Sequence, residues 1–319
     1  MHIMSAQPPN HSLPVGYQLQ EYRIDKVLSG GGFSYVYLAH DQDGQAVAIK
    51  EYLPSALALR VEGNSVVAAS DEALGYFRQG MKSFFEEGRA LARIDHRNIV
   101  RVINFFRAND TVYMVMQYER GRSLQTHIQM QPQPVTENFV RRVFGELLTG
   151  LREVHTHKLL HLDIKPANIY LRIDGSPVLL DFGSARQGLS DAPPSLAPTY
   201  TPGYAAPEQY SNREGLGPWS DIYSIGATMY ACLTRSPPPP ADDRIKLDKL
   251  TPAVQVGKGI YSTHLLETID WCLELDHLKR PQSVFALQKA LLEDIAIQTQ
   301  PQKNSLFSSL RAKLSALKS

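Results

Sequence analysis

The stretch HLDIKPANIYL at residues 161–171 sets Asp163, Lys165 and Asn168 inside a frame of leucines and isoleucines that otherwise reads as a short core strand. Charge inside apolar surroundings is costly unless it is paired or used, so these three groups call for a chemical explanation. Further on, the run VLL leads into DFG at residues 181–183, which puts the Asp181 carboxylate at the end of a predicted strand, where a metal ion could be held. Asn168 and Asp181 are hard oxygen ligands of the kind magnesium takes together with substrate phosphates. Asp163 is then a carboxylate left to orient a hydroxyl, and Lys165 a cation for a transferring phosphoryl group. Phosphoryl transfer needs positioned charge more than covalent chemistry, and an apolar frame holds charge rigidly.

Two other features bear on the same chemistry. Lys50, in VAIK, interrupts an apolar strand. If it faces a core it needs an acidic partner, and Glu87 on a predicted helix is the best candidate; a lysine snorkelling from a strand edge is the plain alternative. The loop SGGGFS at residues 29–34 is a weak signal alone, because glycine-rich turns often serve only tight backbone geometry. Its context discriminates. A dinucleotide fold or P-loop runs through its glycines into a helix, whereas here another strand follows and no Gly-Lys-Ser/Thr occurs. A glycine hairpin can instead lie over phosphates with its amides facing the charge.

Elements must hold these groups in place. From Tyr22 the sequence is β-rich: YRIDKVL, YVYLAH and QAVAIKEYL alternate and carry β-branched residues, which predicts three antiparallel strands joined by tight turns. Residues 71–94 have a helical period, with Phe84, Phe85, Gly88, Leu91 and Ala92 on or near one face. IVRVINFF and TVYMVMQYE follow as two more strands around the turn RAND. Beyond ERGRSL the pattern becomes helical over residues 136–157, 219–233, 263–274 and 282–297, with DAPPSLAP and RSPPPPADD as long loops. Two lobes joined near residues 118–121 are the natural division.

Composition narrows the partners. Lys plus Arg number 33 against 32 Asp plus Glu, so no global field draws nucleic acid or an anionic membrane. Cys232 and Cys272 are too few and too isolated for a zinc site or a disulfide framework, and a reducing cytoplasm is the simplest home. Residues 1–16 lack the apolar stretch of a signal peptide and read as a flexible leader. The densest apolar run, IYSIGATMYACL, is far short of a bilayer span, so no transmembrane segment is expected. In the tail, residues 297–319, Leu306, Leu310, Leu314 and Leu317 recur at helical spacing among basic residues. That is the pattern of a basic amphipathic helix, whose ordinary place is on its own domain and whose rarer place is a membrane surface or a partner.

Taken together, the motifs make the chain resemble a bacterial eukaryotic-like (Hanks-type) serine/threonine protein kinase. VAIK, a helix glutamate, HLDIKPAN, DFG and APE at residues 206–208 follow in that order at fitting spacings. The resemblance covers residues 17–296 and implies a bilobal α+β fold, with a small β-rich N-lobe over 17–118 carrying one main helix and a larger, mainly helical C-lobe over 119–296. It implies ATP and magnesium as cofactors, with manganese as a substitute ion. Lys50, paired with Glu87, would hold the α- and β-phosphates; Asp163 would be the catalytic base, assisted by Lys165 and Thr201; Asn168 and Asp181 would bind the metal. Leu28, Ser29, Gly30, Gly31, Gly32, Phe33 and Ser34 would form the loop over the nucleotide. Val36 and Ala48 would cover the adenine, Tyr170 would floor it, Met116 would gate the pocket behind it, and Gln117, Tyr118 and Glu119 would form the hinge. Glu208 would pair with Arg280, Asp221 would brace the catalytic loop, and TPGYAAPE would receive a peptide's hydroxyl. The implied partners are protein substrates, with forkhead-associated-domain proteins and a cognate phosphatase as the family's usual company.

Three departures stand out. Ser29 and Ser34 replace two of the three family glycines, while Gly30 and Gly32 are extra, which changes which amides meet the phosphates. Tyr170 stands where an aliphatic residue is usual. Leu162 stands where an arginine usually grips an activation-segment phosphate. Arg186 is the cation nearby in sequence, so residues 184–200 are expected to be ordered by packing or partners more than by phosphate, with Ser195 and Thr199 as candidate modification sites. The reading is an active, autophosphorylating kinase. Its rivals are an ATP-binding pseudokinase scaffold, opposed by the complete set of Lys50, Asp163, Asn168 and Asp181, and a small-molecule phosphotransferase, opposed by Thr201, APE and Asp221.

Overall fold

The alternation that begins at Tyr22 builds the first lobe. In the computed structural model, which describes residues 10–182, 200–211 and 215–298, β1 (Gln18–Leu19) leads into β2 (Tyr22–Gly30), β3 (Ser34–His40) and β4 (Ala46–Tyr52), each pairing antiparallel with the next. A separate small hairpin, β5 (Ala58–Arg60) and β6 (Val66–Ala68), follows. β7 (Val102–Ala108) and β8 (Thr111–Gln117) complete a six-stranded sheet of order β1-β2-β3-β4-β8-β7. Side chains alternate between faces of a strand, so in β4 Lys50 and Glu51 point to opposite sides.

Helix α1 (Asp71–Leu91) packs on this sheet. The Ser70 hydroxyl accepts the Ala73 N–H at its start, and Asp71 and Glu72 complement the dipole there. Ala73, Phe77, Gly80, Phe84, Glu87, Gly88 and Leu91 make its buried stripe. Gly88 is needed for the close approach, since a Cβ there would lie 3.1 Å from Met114 Cε.

β8 ends at Gln117 and β9 (Gly121–Ser123) begins the second lobe, pairing with β10 (Ile169–Arg172), which in turn pairs with β11 (Pro177–Leu179). Helix α2 (Leu124–Met130) is short, whereas α3 (Glu137–Thr156), capped by Thr136, buries Val140, Val143, Phe144, Leu147, Leu148, Leu151 and Val154. After the short α4 (Pro207–Ser211) comes α5 (Pro218–Thr234), buried from Ser220 to Leu233 as the axis of the lobe. α6 (Ala241–Lys246), α7 (Ala253–Val256), α8 (Thr263–Cys272) and α9 (Val284–Gln298) surround it. The chain is thus a bilobal α+β protein.

Two expectations are corrected. HLDIKPANIYL is not a strand throughout: Leu162 adopts φ 60° and Pro166 opens a 3-10 turn over Pro166–Asn168, so extended structure starts only at Ile169. Residues 10–16, read as leader, lie against the sheet, with Leu13 buried and the Asn10 side chain bonded to the β5 backbone. An isolated leucine among prolines and polar residues gave no periodicity from which this could be seen. The first nine residues and the tail beyond 298 lie outside the described residues.

Candidate active site

A cleft of about 500 Å³ opens between the lobes, a size that suits a nucleotide. Leu28, Ser29, Val36 and Ala48 line it from the sheet, Met116, Gln117, Tyr118 and Glu119 from the segment after β8, and Tyr170 from β10. Gly30, Gly31 and Gly32 do not line it. They form the hairpin end beyond it, where Gly31 N–H donates to Ser34 O and Gly32 O accepts from Ser55 N–H. Phe33 and Ser34 line a smaller adjoining pocket with Lys50, Asp163, Asn168 and Asp181. Val100, Leu180 and Thr126 also line the main cleft, unnoticed in the sequence because their apolar or neutral types carry no chemical signal.

Gly121 fixes how close the segment after β8 comes to the second lobe. Its φ is 154°, and a Cβ there would fall 1.9 Å from the Leu171 carbonyl oxygen. Beside it the Glu119 carboxylate accepts two hydrogen bonds from Arg172, Nε and Nη2 each at 2.7 Å.

The Lys50 ammonium lies 3.2 Å from Asp181 Oδ1 and 5.8 Å from the centre of the Phe84 ring. Glu87 is buried on the sheet-facing side of α1, the same stripe that carries Phe84. Asp181 itself has φ 51°, a left-handed conformation uncommon outside glycine, at the end of the run that follows β11.

Asp163 gathers the rest. Thr201 Oγ1 donates to its Oδ1 at 2.9 Å, Lys165 Nζ reaches both carboxylate oxygens at 3.1 and 3.0 Å and also Thr201 Oγ1 at 2.8 Å. Asn168 Nδ2 donates to the Asp163 carbonyl at 2.8 Å and to Oδ2 at 3.0 Å. Asp163 is only 8% exposed, so this set is preorganised and largely out of water.

The turn that presents Asp163 is held from beneath. Asp221, fully buried on α5, accepts the N–H groups of His161 and Leu162 at 2.9 and 2.7 Å and bonds His155 Nε2 at 2.8 Å. Burial alone would push the Asp221 carboxyl up, but the bond to His155 and the surrounding histidines and amides outweigh it and hold the carboxyl below its ordinary range. His161 Nε2 meets the Leu180 carbonyl at 2.8 Å and its Nδ1 accepts Asp163 N–H at 3.2 Å, an arrangement that needs the neutral tautomer. Burial lowers the His161 pKa in agreement with this. Farther out, Arg280 pairs with Glu208 through Nη1 at 2.8 Å and Nη2 at 3.1 Å, with the Tyr223 ring 4.9 Å away. Gly183, Ser184, Arg186, Ser195 and Thr199 lie outside the described residues.

The family model described as protein kinase domain matches residues 22–292. The chain belongs to the protein kinase family. Among curated relatives, serine/threonine-protein kinase D of Synechocystis sp. is 28% identical over 295 residues, covering 89% of this chain and 54% of its own length. Serine/threonine-protein kinase PknA of Nostoc sp. is 30% identical over 229 residues, covering 68% of this chain and 37% of its own. The solved structure titled PpkA-294 apo form superposes with a TM-score of 0.79 at 36% identity, covering 88% of this kinase chain and 99% of that one. These relatives place the kinase with the bacterial Hanks type that the motif order implies. It spans about half the length, or less, of the curated relatives it matches.

Proposed function

We propose that this kinase domain transfers the γ-phosphoryl group of ATP to serine or threonine hydroxyls of bacterial proteins, and to its own. The observation that carries the reading is the triangle of Asp163, Lys165 and Thr201, all within 3.1 Å of one another, with Asp163 lining the small pocket beside a nucleotide-sized cleft. Thr201 Oγ1, bonded to both Asp163 and Lys165, ties the peptide-receiving segment to the base so that an incoming substrate hydroxyl meets an oriented carboxylate. Asp163 accepts and orients that hydroxyl's proton as general base, and Lys165 offsets the charge that grows on the transferred group. Lys50 holds the α- and β-phosphates, with Glu87 as its partner on α1. The cleft residues from Leu28 to Tyr170 enclose the adenine.

The donor set suits a divalent ion. Asn168 commits its Nδ2 to Asp163, which leaves its Oδ1 for a cation, and Asp181 adds a carboxylate in the same small pocket. Two hard oxygens with phosphates completing the shell fit magnesium, or manganese in its place. Such an ion supplies neutralisation of the phosphate oxygens. A pseudokinase scaffold is the weaker reading, since Lys50, Asp163, Asn168 and Asp181 are all present and converge on one pocket. Both cysteines are free and buried, which suits a cytoplasmic setting. No helix among the described residues is long and apolar enough to cross a membrane. Forkhead-associated-domain proteins and a cognate phosphatase are the partners proposed from family kinship.

The test is incubation with magnesium ATP and a generic basic protein, followed by phosphoamino-acid analysis. Label should appear on serine and threonine, and Asp163→Asn should cut turnover by about 10²–10⁴ while nucleotide binding persists. Undiminished turnover in that variant would remove Asp163 from the role of base.

A further inference from the structure

On the face of β4 away from Lys50, a charged pair is buried that the phosphoryl-transfer site does not use. Glu51 is 0% exposed, and Arg60 at the end of β5 has a side chain equally hidden. Arg60 Nη2 donates to Glu51 Oε2 at 2.5 Å, the Tyr37 hydroxyl donates to the same oxygen at 2.6 Å, and the Tyr113 hydroxyl donates to Oε1. Burying two charges costs several kcal/mol per ion unless every donor and acceptor is met, so such a pair marks a place where geometry matters more than packing.

Arg60 spends its remaining donors on the chain's first described residues and on its own hairpin. Its Nε donates to the His11 carbonyl and its Nη1 to the Asn64 carbonyl, both at 2.9 Å, and its backbone N–H donates to Asn10 Oδ1 at 2.8 Å. Asn10 in turn donates from Nδ2 to the Ala58 carbonyl and accepts the Tyr35 hydroxyl on its own carbonyl at 2.6 Å. Tyr35 is the residue across from Gly30 in the glycine hairpin, and its ring fills the space that a Cβ on Gly30 would need. The segment between β4 and α1 reaches the same hairpin directly: Leu53 N–H donates to the Phe33 carbonyl and Ser55 N–H to the Gly32 carbonyl. That segment ends at Ser70, the cap of the helix that bears Glu87.

We propose that Glu51 and Arg60 are positioning residues for the nucleotide lid: they lock residues 10–13 and 53–70 into one brace that sets the glycine hairpin over the cleft and fixes Lys50 from behind its strand. The inference rests on the reading of the cleft as an ATP site. In this protein two of the usual lid glycines are serines, and an external brace takes over part of the work of shaping the hairpin. The brace touches no substrate, so it acts on how ATP is held and leaves the transfer step alone.

The test uses the full chain carrying Tyr35→Phe, Asn10→Ala, or the paired change Glu51→Gln with Arg60→Met, which removes both charges together so that neither is stranded. Amide hydrogen exchange across residues 28–36 and the ATP KM are measured beside kcat, peptide KM and the melting temperature. Faster exchange at the hairpin and an ATP KM raised about three- to tenfold, with kcat and peptide KM within twofold, is the expected result. A lowered melting temperature with hairpin exchange and ATP KM unmoved would overturn the proposal and leave the pair a fold element only. Should the wild-type chain bind no ATP, the kinase reading fails, while hairpin exchange in the variants still decides whether the brace exists.

Discussion

Gln209 clasps Leu162. Its Nε2 donates to the Leu162 carbonyl at 2.9 Å, and its Oε1 accepts the Ala206 N–H at 2.9 Å, with both side chains buried. One amide thereby joins the segment expected to receive the peptide to the turn that presents Asp163. Together with Asp221 on the Leu162 N–H, it holds both backbone groups of a residue in a conformation that leucine rarely adopts.

Gln209→Ala should therefore lower kcat by about 10- to 100-fold through misplacement of Asp163, with ATP KM little changed. Steady-state kinetics over both substrates will read this. A variant with wild-type kcat would show that Asp221 alone suffices to hold the turn.

Arg280→Ala should act on stability. It leaves the Glu208 carboxylate, 6% exposed, with the Ser220 hydroxyl at 2.7 Å as its one remaining hydrogen-bond partner among the described residues, and stranding a buried charge costs about 3–5 kcal/mol. Chemical denaturation will measure it, and a midpoint equal to that of wild type would mean that the pair is dispensable.

At residue 162 the chain has a buried leucine where a phosphate-gripping arginine is usual. A phosphate on the following segment then gains little from this turn. Phosphatase-treated protein should keep most of its activity, and Ser195→Ala and Thr199→Ala should be near neutral, whereas Thr201→Ala should be damaging because that hydroxyl bonds both Asp163 and Lys165. Initial rates before and after autophosphorylation decide this; a gain above about tenfold would show that another cation serves the phosphate.

Acid should destabilise the fold beginning near neutrality. His96, His127 and His161 all have pKa values lowered from 6.5, in each case chiefly by burial. As pH falls below 6.5 the unfolded chain takes up protons that the folded chain refuses, so stability drops; above it neither form is charged and these groups add no slope. The melting temperature should be level above about pH 7 and fall between about pH 6.5 and 5. A melting temperature that holds steady over that acid range would contradict the neutral state of these histidines, of which His161 is buried and His96 and His127 are half-buried.

How much of this was readable in advance depended on whether a residue looked out of place. Asp163, Lys165, Asn168 and Lys50 are polar groups in apolar runs, and that contrast exposed them. Glu208 with Arg280 and Asp221 with the catalytic turn could be paired only through family kinship, and the structure brings both sets together. Arg60 gave no such contrast: LALRVEG looks like any loop, its partner Glu51 hides behind the more conspicuous Lys50, and the two tyrosines that complete the cluster come from β3 and β8. Gln209 was equally silent, because a neutral amide after APE has no spacing that betrays its bond to residue 162. The short strands β5 and β6 escaped because three residues cannot show a period.

The bond between Glu119 and Arg172 has a mechanical meaning. Gln117 belongs to the sheet, paired with Val47 and donating its N–H to the Arg101 carbonyl, while Glu119 is pinned by both arms of Arg172 to a strand of the other lobe. Only Tyr118 lies between them. A swing of one lobe against the other must bend the chain at this one residue, while Arg97, Asn98 and Val100 tie the lobes a second time through the Arg172 guanidinium and the Pro177 and Leu179 backbone. Tyr118 is thus one of two pivots between the lobes, and it lies beside the edge where the adenine would sit.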